Sequence, residues 1–395
     1  MPTLLDLPAE LVDKIAEVVH QSHPKQYLGS AHRVFLASSR RLFFENLVVD
    51  GFDKVGTACK LFESASDLAQ VVKGLVLKHS WLRDRAQTLT EDAARSFFRL
   101  LPSVRQLSVE GSEMLTEMVL APQPDDILLP HLERLKVQDS REGYGGENPY
   151  AVSHFRGLAR YQNLKHLHLF FLCDPEDSYR PALALPDVRL PLTSLKIEGF
   201  LRGNDEIPAL IAACPDLESL DLYDETYETM NNLSHTLDAI PRPLQIKHLR
   251  LSQQQDPENE DDLSASLARF QNLSHLELGT QSFHPNAVPA LAALPNLTHL
   301  TFRPNVNVST TALKRLLEDG PNRAEKLVKL ELDTMFKVLG AGWDSDTYQL
   351  TQTVLDERWT DEFLPEGVKE VIELAEKAGV EITGWPVEHV RRGGE

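Results

Sequence analysis

Leu273-Ser-His-Leu276-Glu-Leu278 decides the fold, because its spacing of apolar residues recurs ten times along the chain. The last two apolar residues are two positions apart, so both point to the same face of a short strand. The first lies three positions earlier, where the chain enters the strand. The ten copies begin at Val72, Val104, Leu132, Leu164, Leu192, Leu217, Ile246, Leu273, Leu297 and Leu327.

The segments between the copies carry apolar residues at helical spacing, which predicts one amphipathic helix per repeat. Six such segments contain Phe97 and Leu100, Val152 and Phe155, Ile207 and Leu210, Leu263 and Leu267, Val288 and Leu291, and Leu313 and Leu316. Proline follows Leu101, Cys214 and Leu294, and it disfavours helical backbone in its predecessor. Each repeat is therefore predicted to run strand, loop, helix, turn.

A period of about 28 residues resembles the leucine-rich repeat, whose helix-containing forms have the longer repeats. The resemblance implies an α/β leucine-rich-repeat solenoid. Its parallel strands would line the concave side of a horseshoe and its helices the convex side. We expect this solenoid over residues 51–335, between a helical module at 1–50 and a capping segment at 336–395.

Residues 1–50 do not fit the repeat and are predicted to be helical. Pro8 suits a first helical turn, and Leu11, Ile15, Val18 and Val19 form one apolar stripe. The segment Leu7-Pro8-x-Glu10-Leu11-x-x-x-Ile15 resembles the opening motif of the F-box family, and Leu36–Phe43 is similar to its closing segment. Together the two segments resemble the F-box/leucine-rich-repeat proteins.

That resemblance implies a substrate receptor without an active site of its own. The F-box-like helices would dock on the Skp-type adaptor of a cullin-RING ubiquitin ligase through Leu7, Pro8, Leu11 and Ile15. The repeats would hold a target protein. The alternative is a stand-alone interaction scaffold, in which Leu11 and Ile15 only cap the first repeat.

Composition narrows the classes of partner. The 395 residues include 40 Lys and Arg against 59 Asp and Glu, a formal net charge of −19. This charge opposes an electrostatic grip on nucleic acid or anionic lipid. The three cysteines form no CxxC pair, and neither a signal peptide nor a membrane span is expected. We expect the cytoplasm or the nucleus.

The residues flanking the central leucine of each copy are expected to line the concave face. Among them, five basic residues face three acidic ones, and five more are histidines. An acidic or phosphorylated segment of the target is therefore a candidate ligand. The alternative is a solvated strand face without a ligand. The candidate partner-binding residues are Arg134, Lys136, His166, His168, Lys196, His248, Arg250 and His275.

No metal, cofactor or catalytic site is expected from the motifs. His166 and His168 alternate on one strand, but the sequence places no third ligand beside them. Three tryptophans, Trp343, Trp359 and Trp385, follow the last clear repeat, and we interpret them as part of a cap. Val380-Glu-Ile382 could add an eleventh strand there.

Overall fold

The structure is a computed structural model, and it divides the chain into two compact units, Met1–Leu172 and Cys173–Glu395. The boundaries expected at 50/51 and 335/336 stay predictions. The residues that the structure describes are 9–22, 36–78, 89–120, 122, 127–138, 152–171, 188–199, 206–224, 233–253, 264–279, 282–283, 288–303, 307–320, 323–332, 343–344, 349–350 and 365–392.

The first unit begins with two helices and continues with alternating strands and helices. Its described elements are α1 (Ala9–Ser22), α2 (Leu36–Glu45), β1 (Asn46–Asp50), α3 (Asp53–Ser64), α4 (Ser66–Val71), β2 (Gly74–Lys78), α5 (Glu91–Leu100), β3 (Gln106–Glu110), α6 (Glu113–Leu120), β4 (Arg134–Gln138), α7 (Val152–Leu158) and β5 (His166–Phe171). Strands β1 to β5 pair in sequence order, and every pair is parallel.

The second unit repeats this alternation. Its described elements are β6 (Ser194–Gly199), α8 (Glu206–Ala212), β7 (Ser219–Asp224), α9 (Leu233–Asp238), a 3₁₀ turn (Pro243–Gln245), β8 (His248–Gln253), α10 (Ser264–Leu267), β9 (His275–Leu278), β10 (Ser282–Phe283), α11 (Val288–Ala292), β11 (His299–Phe302), β12 (Asn307–Val308), α12 (Thr310–Leu317), β13 (Lys329–Leu332), β14 (Trp343–Asp344), β15 (Gln349–Leu350), α13 (Pro365–Ala378), β16 (Glu381–Thr383) and α14 (Trp385–Arg391).

Here the order of parallel strands is β6, β7, β8, β9, β11, β13, β16. The short strands β10 and β12 pair with each other, and so do β14 and β15. The described chain is thus an α/β protein in which the ten sequence copies each supply one strand of a parallel sheet.

The leucines of the motif form the core, as their spacing predicts. The side chains at the three apolar motif positions are buried in all ten copies, and Leu327, at 5% exposed, is the most exposed of them. Neighbouring strands hold these residues in register, with Leu276 beside Leu249 on one side and Leu300 on the other. The residues between the leucines are mostly half-buried, so each strand has one core face and one open face.

Backbone hydrogen bonds join each repeat to the next at the entry to the strand. The carbonyl of Ser274, just before β9, accepts from the amides of Thr298 and His299 at 2.9 and 3.0 Å. A carbonyl acceptor shared in this way satisfies two amides at once. The same arrangement recurs at Lys73, Arg105, Glu133, Thr193, Glu218, Lys247 and Thr298.

The helices follow the predicted pattern. All six segments with helical spacing contain a helix, and α5, α8 and α11 end before Pro102, Pro215 and Pro295. Helices also contact their neighbours in sequence order within each unit. In the first unit a row of rings fills the space between helices: Phe62 lies 6.4 Å from Phe97, which lies 6.3 Å from Phe98.

Two further strands extend the ten copies. β1 pairs with β2, and β16 pairs with β13, which confirms the eleventh strand expected near Val380–Ile382. Gly384 follows β16 with φ +112°, and a Cβ there would lie 1.6 Å from the carbonyl oxygen of Leu332. Only glycine allows the chain to pass β13 so closely.

Candidate interaction surfaces

The α1 helix presents an apolar stripe to solvent. Leu11, Ile15 and Val18 are 47%, 39% and 55% exposed, whereas Val12 and Ala16 are buried. The three exposed residues are spaced i, i+4 and i+7, so they share one face of the helix. Leu7 and Pro8, the other two residues predicted to bind an adaptor, lie outside the described residues.

The opposite side of α1 is held by α2. At about 100° per residue, Asp13 and Glu17 lie across the helix from the stripe. The guanidinium of Arg41 pairs with both carboxylates, at 3.5 and 3.2 Å, and the Ser38 hydroxyl donates to Asp13 at 2.5 Å. Polar contacts therefore fix which face of α1 points outward. On α2, Phe43 is 44% exposed.

The open face of the first unit carries a β4–β5 basic cluster, which comprises Arg134, Lys136, His166 and His168. The strand register places Arg134 beside His166 and Lys136 beside His168. Arg134 is exposed, and among the described residues no carboxylate pairs with it. Lys136 lies 3.9 Å from Glu110. These four candidate residues are therefore brought together as the sequence predicted.

The electrostatics of this cluster favour an anion. Desolvation by burial and the positive charges of Arg134 and Lys165 lower the pKa of His166, while Glu133 opposes the shift. Glu110 is shared, since Lys78 also pairs with it at 3.2 Å. A carboxylate or phosphate placed against the cluster would meet more positive than negative charge.

In the second unit, by contrast, the charged residues neutralise one another. Lys196 lies 2.5 Å from Glu198 and 3.8 Å from Asp221, and Arg250 lies 3.6 Å from Asp221 and 2.7 Å from Glu277. The ion ladder, defined by these five residues and Arg303, ends where the Arg303 guanidinium donates to both carboxylate oxygens of Glu277 at 2.6 and 3.2 Å.

This ladder changes the charge count of the open face. The two positions counted per strand give three basic and three acidic residues in the second unit, so the predicted basic surplus lies in the first unit. A third outward position adds Glu198 and Arg303, and β16 adds Glu381. The described basic residues there are Lys196, Arg250, Arg303 and Lys329, and the acidic ones are Glu198, Asp221, Glu277, Glu331 and Glu381. Lys196 and Arg250, two predicted partner-binding residues, already have carboxylate partners.

Burial shapes the ladder at Asp221. Desolvation raises the pKa of its carboxyl group, against the opposing charges of Arg250 and Lys196. The guanidinium of Arg250 also lies over the ring of Tyr223, 5.8 Å from its centroid. Salt screens partly buried pairs of this kind less than exposed pairs, although Oδ1 of Asp221 and Nε of Arg250 are buried without a hydrogen-bond partner.

Three imidazoles stack across β8, β9 and β11 to form a histidine row. The centroids of His248 and His275 are 4.4 Å apart, and those of His275 and His299 are 4.2 Å apart with ring planes only 10° from parallel. His248 and His275 are among the predicted partner-binding residues, whereas His299 is not. The signal was present, because the same motif position holds histidine in all three repeats.

The part of the chain that the structure describes contains no group of three or more His, Cys, Asp or Glu placed to hold a metal ion. Within the same residues, no helix combines the length and the apolar character needed to cross a bilayer. Trp385 stacks on His389 with ring centroids 5.0 Å apart, whereas the side chains of Trp343 and Trp359 lie outside the description.

Comparison with known proteins adds little to this description. No family model matches the chain, and no curated protein matches it. Among solved structures, a crystal structure of a Bacteroides fragilis protein matches with 12% identity and a TM-score of 0.38, over 85% of this chain and 83% of that one.

The structure of a TLR13–ssRNA13 complex matches with 10% identity and a TM-score of 0.19, over 75% of this chain and 60% of that one. Likenesses this weak do not extend what the strands and helices already establish. The chain is an α/β protein in which a recurring leucine motif supplies the parallel strands.

Proposed function

We propose that the chain is a non-catalytic substrate receptor of a cullin-RING ubiquitin ligase. In this proposal α1 docks on the Skp-type adaptor and the repeats bind the target protein. The observation that carries it is the apolar stripe of Leu11, Ile15 and Val18, which α2 leaves exposed. The resemblance of the segment from Leu7 to Ile15 to the F-box opening motif indicates that the partner is an adaptor of this type.

The stripe suits a helix that lies in an apolar groove of another protein. Fully burying a Val, Leu or Ile side chain contributes about 1.5–3 kcal/mol, and these three retain roughly half of their exposure for such a contact. Docking would thus gain about 1 kcal/mol from each side chain. If Leu11 and Ile15 only capped the first repeat, their side chains would already be buried within the chain.

The function of such a receptor is proximity. Holding a target beside an enzyme that carries activated ubiquitin raises the effective concentration of the target's lysines. Such a receptor needs one surface that binds the adaptor and another that binds the target, and it catalyses no chemical step. It places the complex in the cytoplasm or the nucleus.

Adaptor binding is tested by co-purification of the full chain with the adaptor. Leu11→Asp/Ile15→Asp should abolish recovery, and the milder Leu11→Ala/Ile15→Ala/Val18→Ala should weaken it. Val328→Asp is the matched control, because Val328 is equally exposed, at 54%, but lies in the second unit. Equal recovery of the stripe variants and the control would favour a stand-alone scaffold.

For the target, the β4–β5 basic cluster supports an acidic or phosphorylated segment. Arg134→Glu/Lys136→Glu should abolish binding of the target and leave adaptor recovery unchanged. The exposed residues Lys54 and Lys60 on α3 give a control of equal charge change, Lys54→Glu/Lys60→Glu. Unchanged target binding by the Arg134→Glu/Lys136→Glu variant would remove the cluster from the proposal.

A further inference from the structure

Two rings of the histidine row contact the hydroxyl of the preceding residue. The Ser274 hydroxyl oxygen lies 2.8 Å from Nδ1 of His275 and 3.0 Å from the carbonyl oxygen of Lys247. Nδ1 of His275 is therefore occupied by a contact within the chain.

His299 repeats this arrangement one strand further along. The Thr298 hydroxyl donates to the carbonyl of Ser274 at 2.9 Å, and Nδ1 of His299 lies 2.9 Å from that hydroxyl oxygen. Since Nδ1 faces the hydroxyl, Nε2 lies on the other side of the ring. A protonated imidazole carries an N–H on both nitrogens, so protonation gives each ring a donor at Nε2.

The surroundings of the row do not supply the anion that such donors need. Among the described residues, no carboxylate forms a hydrogen bond or ion pair with these three imidazoles. The charged groups of the neighbouring strands are already paired, as Glu218 with Lys247, Asp221 with Arg250, Glu277 with Arg303, and Lys329 with Glu331. Charge that appears on the row on acidification is therefore uncompensated.

The surroundings of the row also disfavour the protonated form of His275. Desolvation by burial lowers the pKa of His275, and His248 and His299 lower it further because like charges repel at these short separations. An anion that touches the edges of the rings would remove this resistance. By linkage, it would bind more tightly as the rings take up protons.

We propose that His248, His275 and His299, with Lys329 beside them on β13, form an acid-gated binding site for an anionic peptide segment. Centroid separations of 4.2–4.4 Å suit two N–H donors that converge on one carboxylate or phosphate. Lys329 lies beside His299 on the next strand with its Nζ paired to Glu331 at 3.3 Å, so the positive charge of the site comes from the protonated rings. The inference names a ligand for the target-binding role proposed above and is independent of the adaptor.

The test uses the full chain and a fluorescein-labelled decapeptide of alternating glutamate and glycine, with a second peptide that carries phosphoserine. Fluorescence anisotropy at constant ionic strength should give about tenfold tighter binding at pH 5.8 than at pH 7.8, which corresponds to a change of one unit in a coupled pKa. The phosphoserine arm distinguishes a phosphate ligand from a carboxylate ligand.

Two variants locate the effect. His275→Gln/His299→Gln should reduce the pH ratio to below about threefold, since glutamine does not titrate in this range. His131→Gln, at an exposed position of the first unit outside both proposed binding surfaces, should retain it. An undiminished ratio in the first variant would overturn the inference. Circular dichroism at both pH values establishes that each variant is folded.

A second measurement reports on the rings directly. In long-range ¹H–¹⁵N spectra, the titration midpoint of His275 should rise when peptide is added, because a bound anion favours the protonated ring. A midpoint that does not move would contradict the site. Adaptor recovery should be the same in every histidine variant, so loss of adaptor binding would count against the proposed function instead.

Discussion

Replacing a buried motif leucine and a nearby exposed leucine by alanine, in separate variants, tests whether the motif leucines form the core. Leu249, on β8, is 2% exposed, and Leu244, five residues earlier, is 56% exposed. Both replacements remove the same three carbon atoms from the same unit. The difference in stability between the two variants therefore reports mainly on the burial and packing of Leu249.

The magnitudes follow from these exposures. At about 0.8 kcal/mol per buried carbon, Leu249→Ala loses about 2.4 kcal/mol of transfer free energy. The cavity left between β7 and β9 raises the total to about 3–4 kcal/mol, within the range known for buried leucines. For Leu244→Ala, less than half of the side chain leaves water on folding, which gives about 1 kcal/mol.

Urea unfolding followed by far-UV circular dichroism measures both values, since the free energy of unfolding falls linearly with denaturant. Leu249→Ala should lower the transition midpoint several times as much as Leu244→Ala does. Equal shifts would refute the assignment of the motif leucines to a common core. An unchanged slope m would show that the denatured state is the same in the two variants.

Two other replacements and one change of pH test separate parts of the structure. Gly384→Ala should lower the melting temperature strongly, because the new Cβ would collide with the carbonyl of Leu332. Gly56→Ala is the control: Gly56 lies in helix α3 with nothing within 4 Å of the new Cβ, so alanine should raise the free energy of unfolding by about 0.5–1 kcal/mol. Similar melting temperatures of the two variants would contradict this. The native state disfavours the protonated form of His275, whose ordinary pKa is 6.5. The stability that depends on neutral His275 is therefore fully present above pH 6.5, and it is lost as the pH falls toward the lowered pKa of the folded state. Urea midpoints at pH 7.5 and 5.5 should therefore differ less for His275→Gln than for the unmodified chain, and an equal or larger difference would contradict this.

Much of the repeat could be predicted from the sequence because it depends on side-chain periodicity. The spacing of Leu195 and Ile197 fixes one face of a strand, and proline at position 215 marks the end of the preceding helix. Strand β1 was missed although Phe44-Glu-Asn-Leu47-Val-Val49 has the same spacing. Its residues were assigned to the helical N-terminal module instead.

The shared carbonyls that join successive repeats have no side-chain signature, so no sequence pattern could reveal them. The ion ladder was missed for another reason. Its members Glu198 and Arg303 lie one residue beyond the last apolar position of the motif, outside the two positions counted per strand. Their contacts follow only once the register of neighbouring strands is known.

The histidine row shows what register adds to composition. His275 and His299 occupy the same motif position, so their proximity follows from parallel pairing without a shift. The contacts of Nδ1 with the hydroxyls of Ser274 and Thr298 do not follow from register, because they depend on the local geometry of those side chains.

Hydrogen–deuterium exchange of the full chain, with and without the purified Skp-type adaptor, tests the central claim most directly. The account predicts that the adaptor slows exchange in α1 and α2, residues 9–22 and 36–45, and leaves the strands of the repeats unchanged. Exchange that is the same with and without adaptor, or protection confined to the repeats, would contradict it.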